Sequence, residues 1–339
     1  MTHPQQSPSG LTYQQALAAV IAARATTATT PNLVDLTASV SNAVINARET
    51  AAGYARTLIL SAWAETDPYD GRSVQTFTQT ARRHMVTAQT STARAAAAGQ
   101  AQLLRQMGVQ VSGVPSNPVD IRASEAVVID DALVLARPDT VRVDYDTRDD
   151  TVIRAEDYTT EAVFNRPART LRALEAEGAT RMVADQAARE RIDRIVDDNV
   201  MLAQRFAEAE TLQSAVNLDK PAQIVIGYRR VIHPEMSRTG VCGLCIAAAD
   251  QRYKIGTLLP IHANCKCTVA PITLDHDPAD DVNAADLRRL YELSGGTSSA
   301  ELKRVRYQVD QHGELGPTLV PKRKYEPRKR KTSVPARPR

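Results

Sequence analysis

Four cysteines and a histidine fall in one short stretch of the chain, GVCGLCIAAADQRYKIGTLLPIHANCKCTVAPI. Cys242 and Cys245 make a CxxC pair, and after sixteen intervening residues His262, Cys265 and Cys267 follow as HxxCxC. Tetrahedral zinc takes thiolate and imidazole donors, and two ligand pairs bracketing a loop of this size let one ion crosslink a segment too small to build its own core. Gly240 and Gly243 suit a tight turn that aims both sulfurs of the CxxC pair the same way. Five donors compete for four places: Cys242, Cys245 and Cys265, with His262 or Cys267 as the fourth. Two other states of the same residues are reduced, partly buried thiols without metal, and disulfides joining Cys242 or Cys245 to Cys265 or Cys267.

The same side chains offer a second chemistry. A cysteine nucleophile needs a base within hydrogen-bond reach and surroundings that favour the thiolate. Cys242 or Cys265 with His233 or His262 meets the first need by type, with Asp250 to orient the base. Ser237, four residues after His233 in HPEMSRTG, is the serine candidate. Against these stand the missing motifs: GxSxG, HExxH, a Walker A loop and a dinucleotide fingerprint are all absent. His262 and Cys265, only three residues apart, fit shared ligation better than a nucleophile and its base. His84 falls on a helix, His276 in an acidic loop and His312 in a turn.

The elements that must position this cluster are mostly helical. Thr30 followed by Pro31 reads as an N-cap with proline at the first helical position. Leu33, Leu36, Val40, Val44, Ala47, Ala51, Tyr54 and Leu58 then recur at helical spacing up to Asp67-Pro68. A second run from near Ser73 to Gly108 places Val74, Phe77, Ala81, Met85 and Ala88 on one face, so the two are expected as antiparallel helices. Residues 109–165 read as an irregular connector, broken by Pro115, Pro118 and Pro138, with one or two strands where Val141, Val143 and Tyr145 alternate. Helix resumes over 166–216, carrying Leu171, Leu174, Ile192, Ile195, Leu202, Phe206 and Ala209. Its other face is dense in Arg, Asp and Glu and is expected to be solvated. Gln223–Tyr228 is a strand, followed by the cysteine loops, an acidic loop after Pro271 and a helix near Ala284–Leu293. Beyond it come a Gly-Ser loop, a helix near Ser299–Arg306 and a strand and turn over Tyr307–Val320.

The expected fold is therefore mainly α. Its parts are an N-terminal helical region (1–108), the connector (109–165), a second helical region (166–216), a small Cys/His-stapled α+β module (217–320) and a disordered basic tail (321–339). The 339-residue chain has room for about two domains. No window approaches roughly 18 uncharged apolar residues, so no membrane span is expected. The polar Met1–Gly10 carries no signal-peptide pattern, which places the cysteines in a reducing compartment. The net charge of +3 conceals an asymmetry. Nine basic side chains lie between Pro321 and Arg339 against Glu326 alone, leaving the preceding residues with 33 basic and 38 acidic. Lys322, Arg323, Lys324, Arg328, Lys329, Arg330 and Lys331 could neutralise several phosphates, a salt-sensitive and sequence-independent contact with DNA or RNA. The cysteine segment itself is not strongly basic, which argues against a nucleic-acid-binding zinc module.

Residues 227–272, GYRRVIHPEMSRTGVCGLCIAAADQRYKIGTLLPIHANCKCTVAPI, and 311–319, QHGELGPTL, resemble the phage Mu F-like minor head, or head-morphogenesis, proteins in their actinobacteriophage form. The specific match spans about one fifth of the chain, and the order of helical half, Cys/His segment and short C-terminal piece is compatible with it. The resemblance implies that Cys242, Cys245, His262, Cys265 and Cys267 fall on the family's Cys/His positions, with a structural zinc. It also implies a minor capsid protein at the portal or inner shell. The partners would be the portal, major capsid and scaffold proteins, met in the host cytoplasm during assembly, with the virion interior as destination. Packaged DNA would meet the basic tail. Members are often labelled capsid maturation proteases, and that enzyme is the alternative. Some relatives carry a fused enzymatic domain, for which too little sequence follows the Cys/His segment.

Overall fold

The computed structural model of the chain describes residues 32–113, 115, 122, 125–129, 132–136, 139–143, 151–218, 224–233, 245, 248–255, 258, 265–294, 307–312 and 316–321. Helix α1 (Leu33–Ala64) is capped by Asn32, whose side chain accepts from the Val34 amide. The cap is thus two residues later than the Thr30-Pro31 reading, and those residues lie outside the described part. Helix α2 (Gly71–Gln106) is capped by Asp70, which accepts from the amides of Arg72 and Ser73. The two run antiparallel: Trp63 meets Phe77 edge-to-face at 5.2 Å near the turn, while Gly99 sits against Val40 and Val44 at the far end.

The α1 stripe is broader and rotated relative to the spacing estimate. Tyr54 is 59% exposed, whereas Ile45, Ala52, Ala55, Ile59 and Trp63 are buried. The cause is that α1 packs on two partners at once, α2 and the long helix α5 (Arg181–Leu218), so one ridge of apolar side chains does not suffice. Small residues bring the axes together: Ala51, Ala52, Ala55, Ala81, Ala88, Ala184 and Ala188 share a cluster with Phe77, Met85, Phe164 and Ile192.

Between α2 and α5 the connector is richer in structure than its prolines predict. Strands β1 (Glu125–Ile129) and β2 (Ala132–Ala136) pair antiparallel, as do β3 (Thr140–Val143) and β4 (Thr151–Arg154). A 3₁₀ turn (Ala155–Tyr158) and the short helix α3 (Thr160–Val163) lead to α4 (Arg166–Ala176). The expected helical region over 166–216 consists of two helices. Gly178, at φ 93°, lets the Ala179 amide reach back to the Leu174 carbonyl at 2.9 Å and ends α4, as Gly108 (φ 86°) ends α2 through Val109 and Leu104.

After α5 comes a three-stranded antiparallel sheet in the order β6–β5–β7, built from β5 (Val225–Val231), β6 (Arg252–Tyr253) and β7 (Thr268–Thr273). Pro271 is tolerated in β7 because β7 is an edge strand. Helix α6 (Pro278–Ser294) begins six residues before the expected Ala284 and runs out along the expected segment. Where a strand and turn are expected, strands β8 (Tyr307–His312) and β9 (Gly316–Pro321) pair antiparallel, with His312 opposite Gly316. The helix expected at Ser299–Arg306 and the basic tail lie outside the described residues. The fold is mainly α with a small sheet, and among the described residues no helix is long and apolar enough to cross a membrane.

The closeness of α1 and α2 at Gly99 is testable. A Cβ there would lie 2.9 Å from both Val40 Cγ1 and Val44 Cγ2, in a site with no room to yield. Gly99→Leu should therefore destabilise by about 1–3 kcal/mol through overpacking, seen as a lower urea midpoint. An unchanged midpoint would mean the helices do not cross this closely.

Candidate metal centre

The site begins with an unpaired strand edge. Residues 265–269 enter and start β7, whose inner edge bonds β5. The carbonyls of Cys265, Cys267 and Val269 recur every second residue, the period that aims backbone groups to one side of a strand. Each receives a side-chain donor from a different long helix. Arg48 of α1 donates to Cys265 O at 2.9 Å, Arg205 of α5 donates to Cys267 O, and Gln100 of α2 donates to Val269 O at 2.7 Å. Gln204 adds a 3.4 Å bond to Cys267 O and accepts from Arg48 at 2.9 Å. The edge is thus satisfied and covered by helix side chains.

That arrangement fixes three sulfurs. Cys245, Cys265 and Cys267 are 4%, 0% and 3% exposed, and their sulfurs all lie within 4.8 Å of one another. They pack with Met201 of α5, Ile232, Ala249 and Leu287 of α6. None is in a disulfide. A tetrahedral ion with metal–sulfur bonds of about 2.3 Å sets its sulfurs roughly 3.8 Å apart, so the trio is close enough to share one ion. Three thiol donors in a buried setting suit a soft or borderline metal such as zinc rather than calcium or magnesium. Of the other expected donors, Cys242 and His262 lie outside the described residues.

Buried positive charge surrounds the sulfurs. Arg205 Nη2 is 3.7 Å from Cys265 Sγ, and Arg205 also pairs with Glu208 at 3.0 Å, both side chains sealed from solvent. Arg230, fully buried, lies with its guanidinium 5.5 Å from the Tyr253 ring centre. Hydrogen bonds from Cys245 and Cys267, with help from Arg205 and Arg230, pull the Cys265 thiol well below its ordinary range despite burial. Cys245 is pushed up, foremost by its bond to Cys265. Cys267 also rises, to about 12: its bond to Cys245 pulls the other way but is outweighed by Cys265 and burial. Against the cost of burial, Glu208 and the sulfurs of Cys265 and Cys267 hold Arg205 protonated. Burial raises Glu208, with Arg205 opposing.

The expected solvated face of 166–216 is therefore corrected at its centre: Asp198, Arg205 and Glu208 are buried there. Arg205, paired with Glu208, serves the cysteine strand, and an unpaired polar edge is what makes burying that pair worthwhile. Sequence reasoning also passed over Arg48, Gln100 and Gln204, which carry no motif. The one trace was the i,i+3 spacing of Arg205 and Glu208.

On the far side, α6 holds β5. Asn283 accepts from the Ile232 amide at 3.1 Å and donates to Arg230 O at 2.7 Å, extending the strand's bonding with a side-chain amide. Arg229 forks onto Asp277, with its Nη2 2.8 Å from Oδ2, and its Nη1 donates to Ala249 O. Of the catalytic candidates, His233 is buried with Nε2 3.0 Å from Thr268 Oγ1, Cys265 belongs to the sulfur trio, and Cys242 and Ser237 lie outside the described residues. The tail residues Lys322, Arg323, Lys324, Arg328, Lys329, Arg330 and Lys331 do too. His84 is half-buried on α2, and His276 is exposed after β7 with its amide bonded to Thr273 Oγ1.

The fold and site together define a helical bundle clamped onto a cysteine-lined β-module. No family model, curated protein or solved structure matches the chain.

Removing the guanidinium while leaving its partner is the sharpest probe of the clamp. Arg205→Met leaves the Glu208 carboxylate buried without its counter-charge, with Gln204 as the remaining donor to it and to the Cys267 carbonyl, and should cost about 3–5 kcal/mol in urea denaturation. The double variant Arg205→Met/Glu208→Leu should recover part of that loss, because the buried charge leaves with its partner. Equal losses in both would show that the ion pair does not stabilise the clamp.

Proposed function

We propose that this chain is a minor capsid, head-morphogenesis protein of a tailed bacteriophage, acting in procapsid assembly at the portal or inner shell. In this reading Cys245, Cys265 and Cys267 hold a structural zinc, with Cys242 or His262 as fourth ligand. The observation that carries it is the sealing of all three sulfurs beneath side chains from α1 and α5. A structural ion is enclosed by its ligands, whereas a catalytic one keeps an open position for substrate. Here it would rivet the β-module to the bundle. The resemblance of residues 227–272 and 311–319 to Mu F-like head proteins supports the biological setting. The partners are then portal, major capsid and scaffold proteins, with DNA at the basic tail, in the host cytoplasm and then the virion.

The competing reading is a capsid maturation protease. It requires a nucleophile that a peptide can reach, and Cys265 has no exposed surface while His233 is engaged with Thr268. Among the described residues no geometry favours it over the structural reading.

Co-expression of the chain with its scaffold and major capsid proteins tests both. Uncut partners, one zinc per chain by elemental analysis and assembled heads carrying the chain are expected. Defined cleavage abolished by one folded variant, Cys242→Ala, Ser237→Ala or His233→Ala, would overturn the structural reading. Cys245→Ser and Cys265→Ser should each lose the metal and expose the module to protease.

Zinc affinity should also fall as pH is lowered, because protons on Cys245 and Cys267, both held up in the free site, must leave as the metal binds. Competition with a chelator at two pH values reads the trend. PH-independent affinity would mean that these thiols are not ligands.

A further inference from the structure

The outer face of α2 carries a feature that neither the metal centre nor the basic tail uses. Arg72, Arg83, Arg94 and Arg105 stand eleven residues apart, and all four are exposed. Eleven residues is three helical turns with a drift of only about 20°, so these side chains project in nearly one direction, spaced by roughly 16.5 Å. The face is open along its first two-thirds. Beyond Arg94 it closes, where Ala97 and Ala101 are buried and Gly113 of the returning chain lies against Ala98 and Ala101. The open part therefore presents Arg72, Arg83 and Arg94.

What lies between them is as telling. Thr76, Gln79, Thr87 and Ser91 are exposed on the same side, and α2 contains no Asp or Glu at all. Arg83 donates only to Thr80, and among the described residues no ion pair involves Arg72, Arg83 or Arg94. The acidic groups nearby are few: Glu161 lies 3.8 Å from Arg82, in a surface depression it shares with Thr76, Gln79 and Arg83, and Asp70 is committed to the helix cap. The exposed face of α5 shows what an ordinary solvated helix looks like in this protein, with Arg189 paired to Asp185 and Gln186 bonded to Glu190.

We propose that this face of α2 is a nucleic-acid interface, in which Arg72, Arg83 and Arg94 grip the phosphate backbone of a duplex. A B-form duplex repeats about every 34 Å, and its two strands present a phosphate ridge on one side on average every ~17 Å. A helix lying along the duplex thus meets a ridge about once per arginine interval, and the flexible side chains absorb the difference between the two groove widths. Guanidinium groups match phosphate oxygens, and hydroxyl and amide side chains are the usual companions in backbone contacts. Phe77, the sole Phe, Tyr or Trp of α2, is buried and His84 is half-buried, so the face offers no extended platform for stacking single-stranded bases. The contact reads backbone, not sequence. It is separate from the tail and stands whether or not the chain serves a phage head.

The test uses the full-length chain and a fluorescein-labelled 30-bp DNA duplex, with binding followed by anisotropy across a salt series. To silence the tail, both proteins compared carry Gln at residues 322, 323, 324, 328, 329, 330 and 331. Adding Arg72→Gln, Arg83→Gln and Arg94→Gln should weaken binding at least tenfold near 0.1 M salt. The slope of log K against log salt should flatten by about 2.7, the value for three lost phosphate contacts. The triple Lys variant should retain the slope, and thermal melting should be unchanged in both. An unaltered slope and affinity would overturn the proposal. So would competition by polyglutamate as effective as by unlabelled duplex, which would assign the face to an acidic protein surface instead.

Discussion

Everything in the module depends on how the free edge of β7 is satisfied. Three carbonyls at alternate positions would be buried without partners, each costing about 1–3 kcal/mol. The protein closes that edge not with another strand but with one donor from each of its three long helices, Arg48, Gln100 and Arg205. Two of those donors are guanidiniums, so the solution brings buried positive charge to the backbone of the cysteines. Hydrogen bonds from Cys245 and Cys267 do most to favour thiolate at Cys265, and the charge of Arg205 adds to them. Edge closure and metal-site electrostatics are therefore one arrangement.

This coupling makes the β-module part of the bundle rather than an appendage. Helix α5 runs 38 residues, about 57 Å, and is used along its whole length. Its first half packs with α1, α2 and α4 around Phe77 and Phe164, while Met201 enters the sulfur cluster and Leu212 and Ala215 pack with Tyr228 and Val269. An ion bound by Cys245, Cys265 and Cys267 would fasten the loop bearing Cys245 to a strand already held by the helices. Such a crosslink closes the loop between Cys245 and Cys265 and so restricts the unfolded chain.

The sequence was legible where one physical rule acted alone. Val74, Phe77, Ala81, Met85 and Ala88 line up because α2 turns a single apolar ridge to its neighbours along that stretch, and all five are buried. Cys245, Cys265 and Cys267 were found together because thiols cluster for few reasons. Legibility failed where two demands met. The α1 stripe was misplaced at Tyr54 because α1 answers to both α2 and α5. The strands Glu125–Ile129 and Ala132–Ala136 were not placed individually because the prolines around them dominate the local pattern, while their antiparallel pairing needs only five residues a side. Arg48, Gln100, Gln204 and Arg205 were invisible because their role is set by carbonyls far away in sequence, which no spacing within a helix records.

The arginines show how context divides one residue type into two roles. Arg205 has Glu208 three residues on, a carbonyl above it and sulfur beside it, so its charge is cancelled locally and can be buried. Arg72, Arg83 and Arg94 have no acid at any helical neighbour position, and they remain on the surface. Burying one of them would cost far more than an exposed ion pair returns, so such charge is kept only in water or against an external anion. Their common eleven-residue interval keeps them aligned over about 33 Å, a constraint that solvation alone does not impose. A partner with its own regular array of negative charge does impose it.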